Sequence, residues 1–162
     1  MKDLFKQKTF LQTLFDAIPI FTFVLDDDLR VRAANTAAKK FLGCKEEDFL
    51  LDRCGEVIGC RHADEHPEGC GLSKACEKCL IRNAAIAAAK GTVMERTKGQ
   101  VEFASGKEMN VLVSASSFEY KGNIFSVVMV EDISLIVELE GLIPICASCK
   151  RIRDDQGYWN RV

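Results

Sequence analysis

Residues 17–43, AIPIFTFVLDDDLRVRAANTAAKKFLG, hold a strand, a turn, a second strand and a capped helix in immediate succession. Pro19 ends any helix that precedes it, because its ring removes a backbone donor and disfavours helical backbone in the residue ahead. Ile20 to Leu25 then mixes β-branched and aromatic side chains, the composition of a buried strand. Three consecutive aspartates, Asp26 to Asp28, make a turn, and Arg30 to Ala34 returns as a short strand. Asn35 is the cap of a helix from Thr36 to Leu42, since its side chain accepts from a free backbone N–H. Gly43 suits the left-handed position that closes such a helix.

Working outward, residues 1–19 read as an N-terminal helix with Leu4, Leu11, Phe15 and Ile18 near one face. After Gly43 the periodicity weakens; residues 44–72 look irregular, with one short helical turn near Glu46 to Leu50. Ser73 opens a helix whose apolar side carries Leu80, Ile81, Ala84, Ala85 and Ala88, and Gly91 closes it. Three strands follow, near Thr92–Ala104, Glu108–Tyr120 and Asn123–Asp132, with turns at Ser105-Gly106 and Lys121-Gly122. Alternation picks out Val111, Val113 and Ala115, then Phe125, Val127 and Met129. Phe21, Phe23, Phe103 and Phe125 are read as core. This segregation of strands and helices gives an α+β fold.

The order of elements and two pieces of sequence resemble the PAS family: residues 17–43 and IFSVVMVEDIS at 124–134. The family's last sheet strand typically runs into Asp-Ile-Thr or Asp-Ile-Ser, here Asp132-Ile133-Ser134. The resemblance covers roughly residues 8–134 and implies a five-stranded antiparallel sheet with helices over one face, often enclosing a small ligand or cofactor. PAS modules commonly sit upstream of histidine kinases, nucleotide cyclases or transcription activators. By that resemblance, residues 20–134 form the sensor domain and residues 135–143 the exit connector. Ser134 is expected to cap the helix that leads from Leu135 towards an output domain.

The segment CGEVIGCRHADEHPEGCGLSKACEKCLIR, residues 54–82, departs from an average PAS module. It places Cys54, Cys60, Cys70, Cys76 and Cys79 within an insert spanning 54–79, with His62 and His66 among them. Cys76 and Cys79 are three apart near a helix start, so both thiols are expected on one face, where the helix N-terminus favours thiolate. Gly69 and Gly71 let the backbone bend around Cys70. Cys60, Cys70, Cys76 and Cys79 therefore supply four soft ligands, enough for zinc or an iron–sulfur cluster. Their spacing matches neither a standard zinc finger nor the ferredoxin run. Cys54 is a reserve ligand, and His62 is an alternative to Cys60 in a Cys3His set. Redox-active thiols without metal, or plain packing of small apolar side chains, are the competing readings of the same residues.

Residues 144–162 change character. Cys146 and Cys149 form a second Cys-x-x-Cys pair, resembling a segment found after PAS and receiver domains, in which another cysteine pair follows downstream. The chain stops at Val162 before such a pair, so an output region is expected beyond it, and Cys146 and Cys149 are half of a metal site.

The net charge of −2 over 162 residues argues against a dedicated nucleic-acid binder. The longest N-terminal apolar run, Ala17 to Leu25, is far short of the ~20 residues a membrane helix needs and has no cleavage site after it. The expected location is cytoplasmic, where eight cysteines are reduced thiols or metal ligands rather than disulfides. With no Gly-rich phosphate loop, no assembled nucleophile and no paired carboxylates, the chain is not expected to be an enzyme itself. The leading reading is a PAS sensor of redox state, oxygen or metal within a two-component signalling protein. A cofactor-free PAS dimerisation module, paired through Leu4, Leu11 and Phe15 of the N-terminal helix as a homodimer, is the second. A thiol oxidoreductase using Cys76 and Cys79 is the third, and it lacks the βαβ context of such sites.

Overall fold

The computed structural model describes residues 8–43, 50–142, 149, 151–153 and 159–160. Leu4 and most of the short helical turn expected near Glu46 lie outside them. Helix α1 (Lys8–Ala17) stops just before Pro19, and β1 (Phe21–Leu25) pairs antiparallel with β2 (Val31–Ala34). The turn between them is built by Asp26, whose carboxylate accepts from the backbone N–H groups of Asp28 and Arg30.

Asn35 does more than cap. It is fully buried, and its Oδ1 accepts both from Ala38 N, at 3.0 Å in α2 (Thr36–Leu42), and from Thr22 N at 3.1 Å. Its Nδ2 donates to the carbonyls of Ile18 and Ile20 at 2.9 Å each. One amide thus joins α2 to the entry of β1, satisfying groups that water cannot reach. Gly43 closes α2 at φ 67°.

After α3 (Cys54–Val57) and two single 3-10 turns, α4 (Leu80–Ala89) leads into β3 (Met94–Glu102), β4 (Glu108–Tyr120) and β5 (Asn123–Asp132). The sheet runs β2-β1-β5-β4-β3, antiparallel throughout. Lys121 and Gly122 both take positive φ, 53° and 77°, the mirror-image turn whose twist matches its flanking strands. Helix α4 lies across β4 and β5, and Ala84, Ala85 and Ala88 bury its small-residue face. Beneath it sit Phe23, Leu25, Val31, Val111, Val113 and Val128.

Three readings change. On β5 the covered face carries Ser126, Val128 and Val130, not Phe125, Val127 and Met129. Ser126 belongs inside because its hydroxyl donates to the Ala85 carbonyl at 2.9 Å, tying α4 to the sheet. Phe125 instead stacks on the exposed Phe118 on the other face, whereas Phe21 stacks on Phe41, which leans on Phe103. Ser73 caps only a 3-10 turn, Lys74–Lys78; α4 starts afresh after Cys79, which is extended (ψ 117°). Ser134 does not cap its own helix, α5 (Ser134–Leu142). Asp132 accepts the Ser134 N–H, and the Ser134 hydroxyl accepts from Asn110 N of β4 at 3.0 Å. Ile133, buried beside it, donates to the Asn110 carbonyl at 2.8 Å. In the tail, β6 (Ile152–Arg153) pairs with β7 (Trp159–Asn160) and Cys149 is exposed; Cys146 lies outside the described residues.

Candidate functional site

Between the insert, the start of α4 and the edge strand β3 lies a cavity of about 560 Å³. Cys54, Cys60, Cys70, Cys76, Cys79 and His62 all line it, and the five cysteines are free thiols. Each is placed by a separate device. Cys54 opens α3. Cys60 pairs with Phe103 as an isolated bridge, flanked by Arg61 N to Glu102 O (2.9 Å) and Ala104 N to Gly59 O (2.8 Å), so its loop is stitched to the end of β3.

Cys70 is held from both sides. Glu56 accepts from the Cys70 N–H (3.2 Å) with one oxygen and from the Arg53 N–H (2.9 Å) with the other. The Arg53 guanidinium donates to the Cys70 carbonyl at 2.7 Å. Gly69 and Gly71 stand at φ 87° and 103°, where a Cβ is strained.

Cys76 and Cys79 belong to two different pieces, the 3-10 turn and the cap of α4, rather than to one face of one helix. The break redirects the chain so that Leu80 packs onto Gly99 of β3, where any side chain would collide with it. The Cys76 sulfur accepts the Gly71 N–H at 3.3 Å. His62 is partly exposed, and its Nδ1 lies 2.6 Å from Glu65, whose other oxygen accepts from the Ser73 hydroxyl. Those bonds, Ser73 first and then His62, hold the Glu65 carboxyl below its ordinary value.

Burial pushes the Cys54 thiol far up, and the neighbouring Cys70, Cys79 and Cys60 add to it. Burial likewise raises Cys70 to about 11, and raises Cys60. These thiols are therefore neutral at physiological pH unless a cation compensates the thiolate. Among the described residues no three His, Cys, Asp or Glu side chains surround one point as a ready-made metal site. The cysteines line one cavity, and holding a single metal centre requires their side chains to shift from where they stand. Elsewhere the space beside Phe21, Phe41, Phe103 and Met109 is only about 10 Å³, roughly room for one water.

Arg53, Glu56, Glu65, Arg82 and Gly55 are site residues that sequence reasoning passed over. Only Arg53-x-x-Glu56 carried a local signal, its spacing being that of a capping box.

A family profile described as PAS domain matches residues 9–75. The architecture is similar to that of the PAS domain of the nitrogen regulation protein NR(II) from Vibrio parahaemolyticus, at 16% identity and TM-score 0.55, covering 76% of this chain and 97% of that one. It is similar too to the PAS domain of Bordetella pertussis BvgS (19%, TM-score 0.54, 85% and 96%) and to a PAS domain from a two-component sensor histidine kinase (18%, TM-score 0.52, 82% and 99%). The fold is PAS-like, and residues 9–75 match the PAS family. No curated protein matches the chain. Among the described residues the space beside the aromatic core is small, and a much larger cavity lies under the cysteine insert. No helix among the described residues is long and apolar enough to cross a membrane.

Proposed function

We propose that this PAS domain is the non-catalytic, cytoplasmic sensor of a two-component signalling protein such as a histidine kinase, reading redox state, oxygen or metal at its cysteine cavity. The observation that carries this is the gathering of Cys54, Cys60, Cys70, Cys76 and Cys79, buried or partly buried, around one cavity. Four soft sulfur donors suit zinc or an iron–sulfur cluster, and Cys60, Cys70, Cys76 and Cys79, with Cys54 and His62 in reserve, would hold it.

A route to the output also supports the reading. The Cys60 loop is bonded to residues 102–104 at the end of β3. In register, Gln100 of β3 faces Asn110 of β4, whose N–H and carbonyl both hold the start of α5. A rearrangement at Cys60 thus reaches the exit helix through a short hydrogen-bonded ladder, the kind of two-state element a switch needs.

Purification without oxygen, followed by absorption spectroscopy and iron, zinc and sulfide analysis, tests the proposal. Bound iron with sulfide, or stoichiometric zinc, is expected; metal-free protein with all thiols titratable would overturn it.

One observation favours a second role alongside the first. Leu11 and Leu14 of α1 are 46% and 48% exposed, and Leu135, Ile136 and Leu139 of α5 more so. A second copy covering α1 would bury them, giving a homodimer. Light scattering on the Leu11→Glu/Leu14→Glu variant should then report a monomer where the parent chain is dimeric.

A further inference from the structure

Arg82 stands on α4 and lines the cysteine cavity, yet its Nε is buried with no hydrogen-bond partner among the described residues. A buried donor without an acceptor is costly, and each such group in a folded protein calls for an explanation. The other arginine of the cavity wall, Arg53, is occupied with the carbonyls of Cys70 and Glu68. Arg82 differs in position as well. Its Nε lies beside Gly71, 3.6 Å from where a Cβ would be, and Gly71 is the residue whose N–H already points at the Cys76 sulfur. Two N–H groups therefore meet at Gly71, the residue that follows Cys70: its own, which reaches the Cys76 sulfur, and that of the neighbouring guanidinium.

Neutral thiols are weak acceptors; metal-bound thiolates are strong ones and carry the charge that a guanidinium compensates. We infer that the Nε–H of Arg82 donates to a metal-bound thiolate of Cys70 or Cys76, making Arg82 the positioning and charge-compensating residue of a cysteinate metal centre. The inference rests on the metal reading above and adds a residue to it that is not a ligand. Donors to ligand sulfurs tune metal affinity, typically by ~10–100-fold, and shift the electronic properties of the centre.

The test is titration of the reduced, metal-free full chain with Co²⁺, following thiolate-to-cobalt charge-transfer absorption, in the parent chain and in Arg82→Met and Arg82→Lys. The parent chain is expected to develop thiolate bands. Arg82→Met should bind Co²⁺ about 10-fold or more weakly with the charge-transfer band moved to longer wavelength, because an undonated thiolate is more electron-rich. Arg82→Lys, which keeps the charge, should recover part of the affinity. Metal-free Arg82→Met should melt no lower than the parent, since it removes a stranded donor; a merely structural arginine would instead lower the melting point and leave the band energy alone. If Arg82→Met binds Co²⁺ with parental affinity and band position, the role of Arg82 falls while the cysteine site stands. If the parent chain shows no thiolate bands, the metal reading and this inference fall together.

Discussion

Gly55 sits so close beneath Cys70 that a methyl group on its Cα would overlap the Cys70 sulfur and stand 3.1 Å from its Cβ. The backbone of α3 is thus the floor on which Cys70 rests, and glycine is the residue that permits it. Gly55→Ala is expected to push Cys70 out of the cavity, at an overpacking cost of about 1–3 kcal/mol, with metal uptake reduced more than stability. Urea unfolding and metal stoichiometry on the same sample check this. Parental uptake in a folded Gly55→Ala protein would show that Cys70 is not needed where it stands.

The exit helix gives a second prediction. Asn110 holds α5 through its N–H to the Ser134 hydroxyl and its carbonyl to the Ile133 N–H. Ser134→Ala leaves the Asn110 N–H without its acceptor, a cost of about 1–2 kcal/mol, while the Ile133 bond remains. Amide exchange over residues 135–142 should accelerate while exchange in β4 and β5 beyond Asn110 stays as it was. Unchanged exchange in α5 would mean that the helix is held by something other than this clasp.

Asn35 offers a graded test of the amide network. Asn35→Ala strands the Thr22 N–H and the carbonyls of Ile18 and Ile20 as well as the cap, and about 3 kcal/mol or more of stability should go. Asn35→Asp keeps both acceptor roles but sets a carboxylate oxygen against those carbonyls, so it should lose nearly as much. Denaturant midpoints rank the variants; an Asn35→Asp protein as stable as the parent would mean the two carbonyl bonds contribute nothing.

How much of this was readable beforehand follows from where the information lies. Pro19, the Asp26 turn, the Asn35 cap and Gly43 act within a few residues of themselves, so the first half of the fold was legible. The covered face of β5 was not, because both of its faces are apolar and the polar Ser126 is satisfied from α4, more than thirty residues away in sequence. The break at Cys79 has no glycine or proline to announce it, and Leu80, the first residue after it, packs against Gly99 on another element. That the five cysteines belong together could be seen from their density. Which groups hold them could not: Glu56 reaches across to Cys70, Arg53 to its carbonyl, and the Cys60 loop to β3, all contacts that exist only once the chain is folded.

The last prediction concerns acid. Asp16, near the end of α1, accepts from Gln12 Nε2 at 2.9 Å and from the Thr36 hydroxyl at 3.0 Å, so its carboxylate pins α1 to the first turn of α2. The Gln12 bond, then that of Thr36 and the charge of Lys39, hold its pKa below the ordinary 3.8 against the opposing effect of partial burial. A carboxyl whose folded pKa is depressed adds stability that is complete above the unfolded value and disappears as the pH falls through the folded one. The attachment of α1 should therefore be insensitive to pH from neutrality down to about 5 and loosen below about 4, by less than about 1 kcal/mol because the site is only partly shielded from water. Asp16→Asn, which keeps an oxygen acceptor but cannot titrate, should lack that acid-dependent step. Carboxyl NMR of Asp16 with parallel acid titrations of both proteins reads it directly. A midpoint for Asp16 at or above 3.8, or the same acid step in Asp16→Asn, would show that this carboxylate does not fasten the helix.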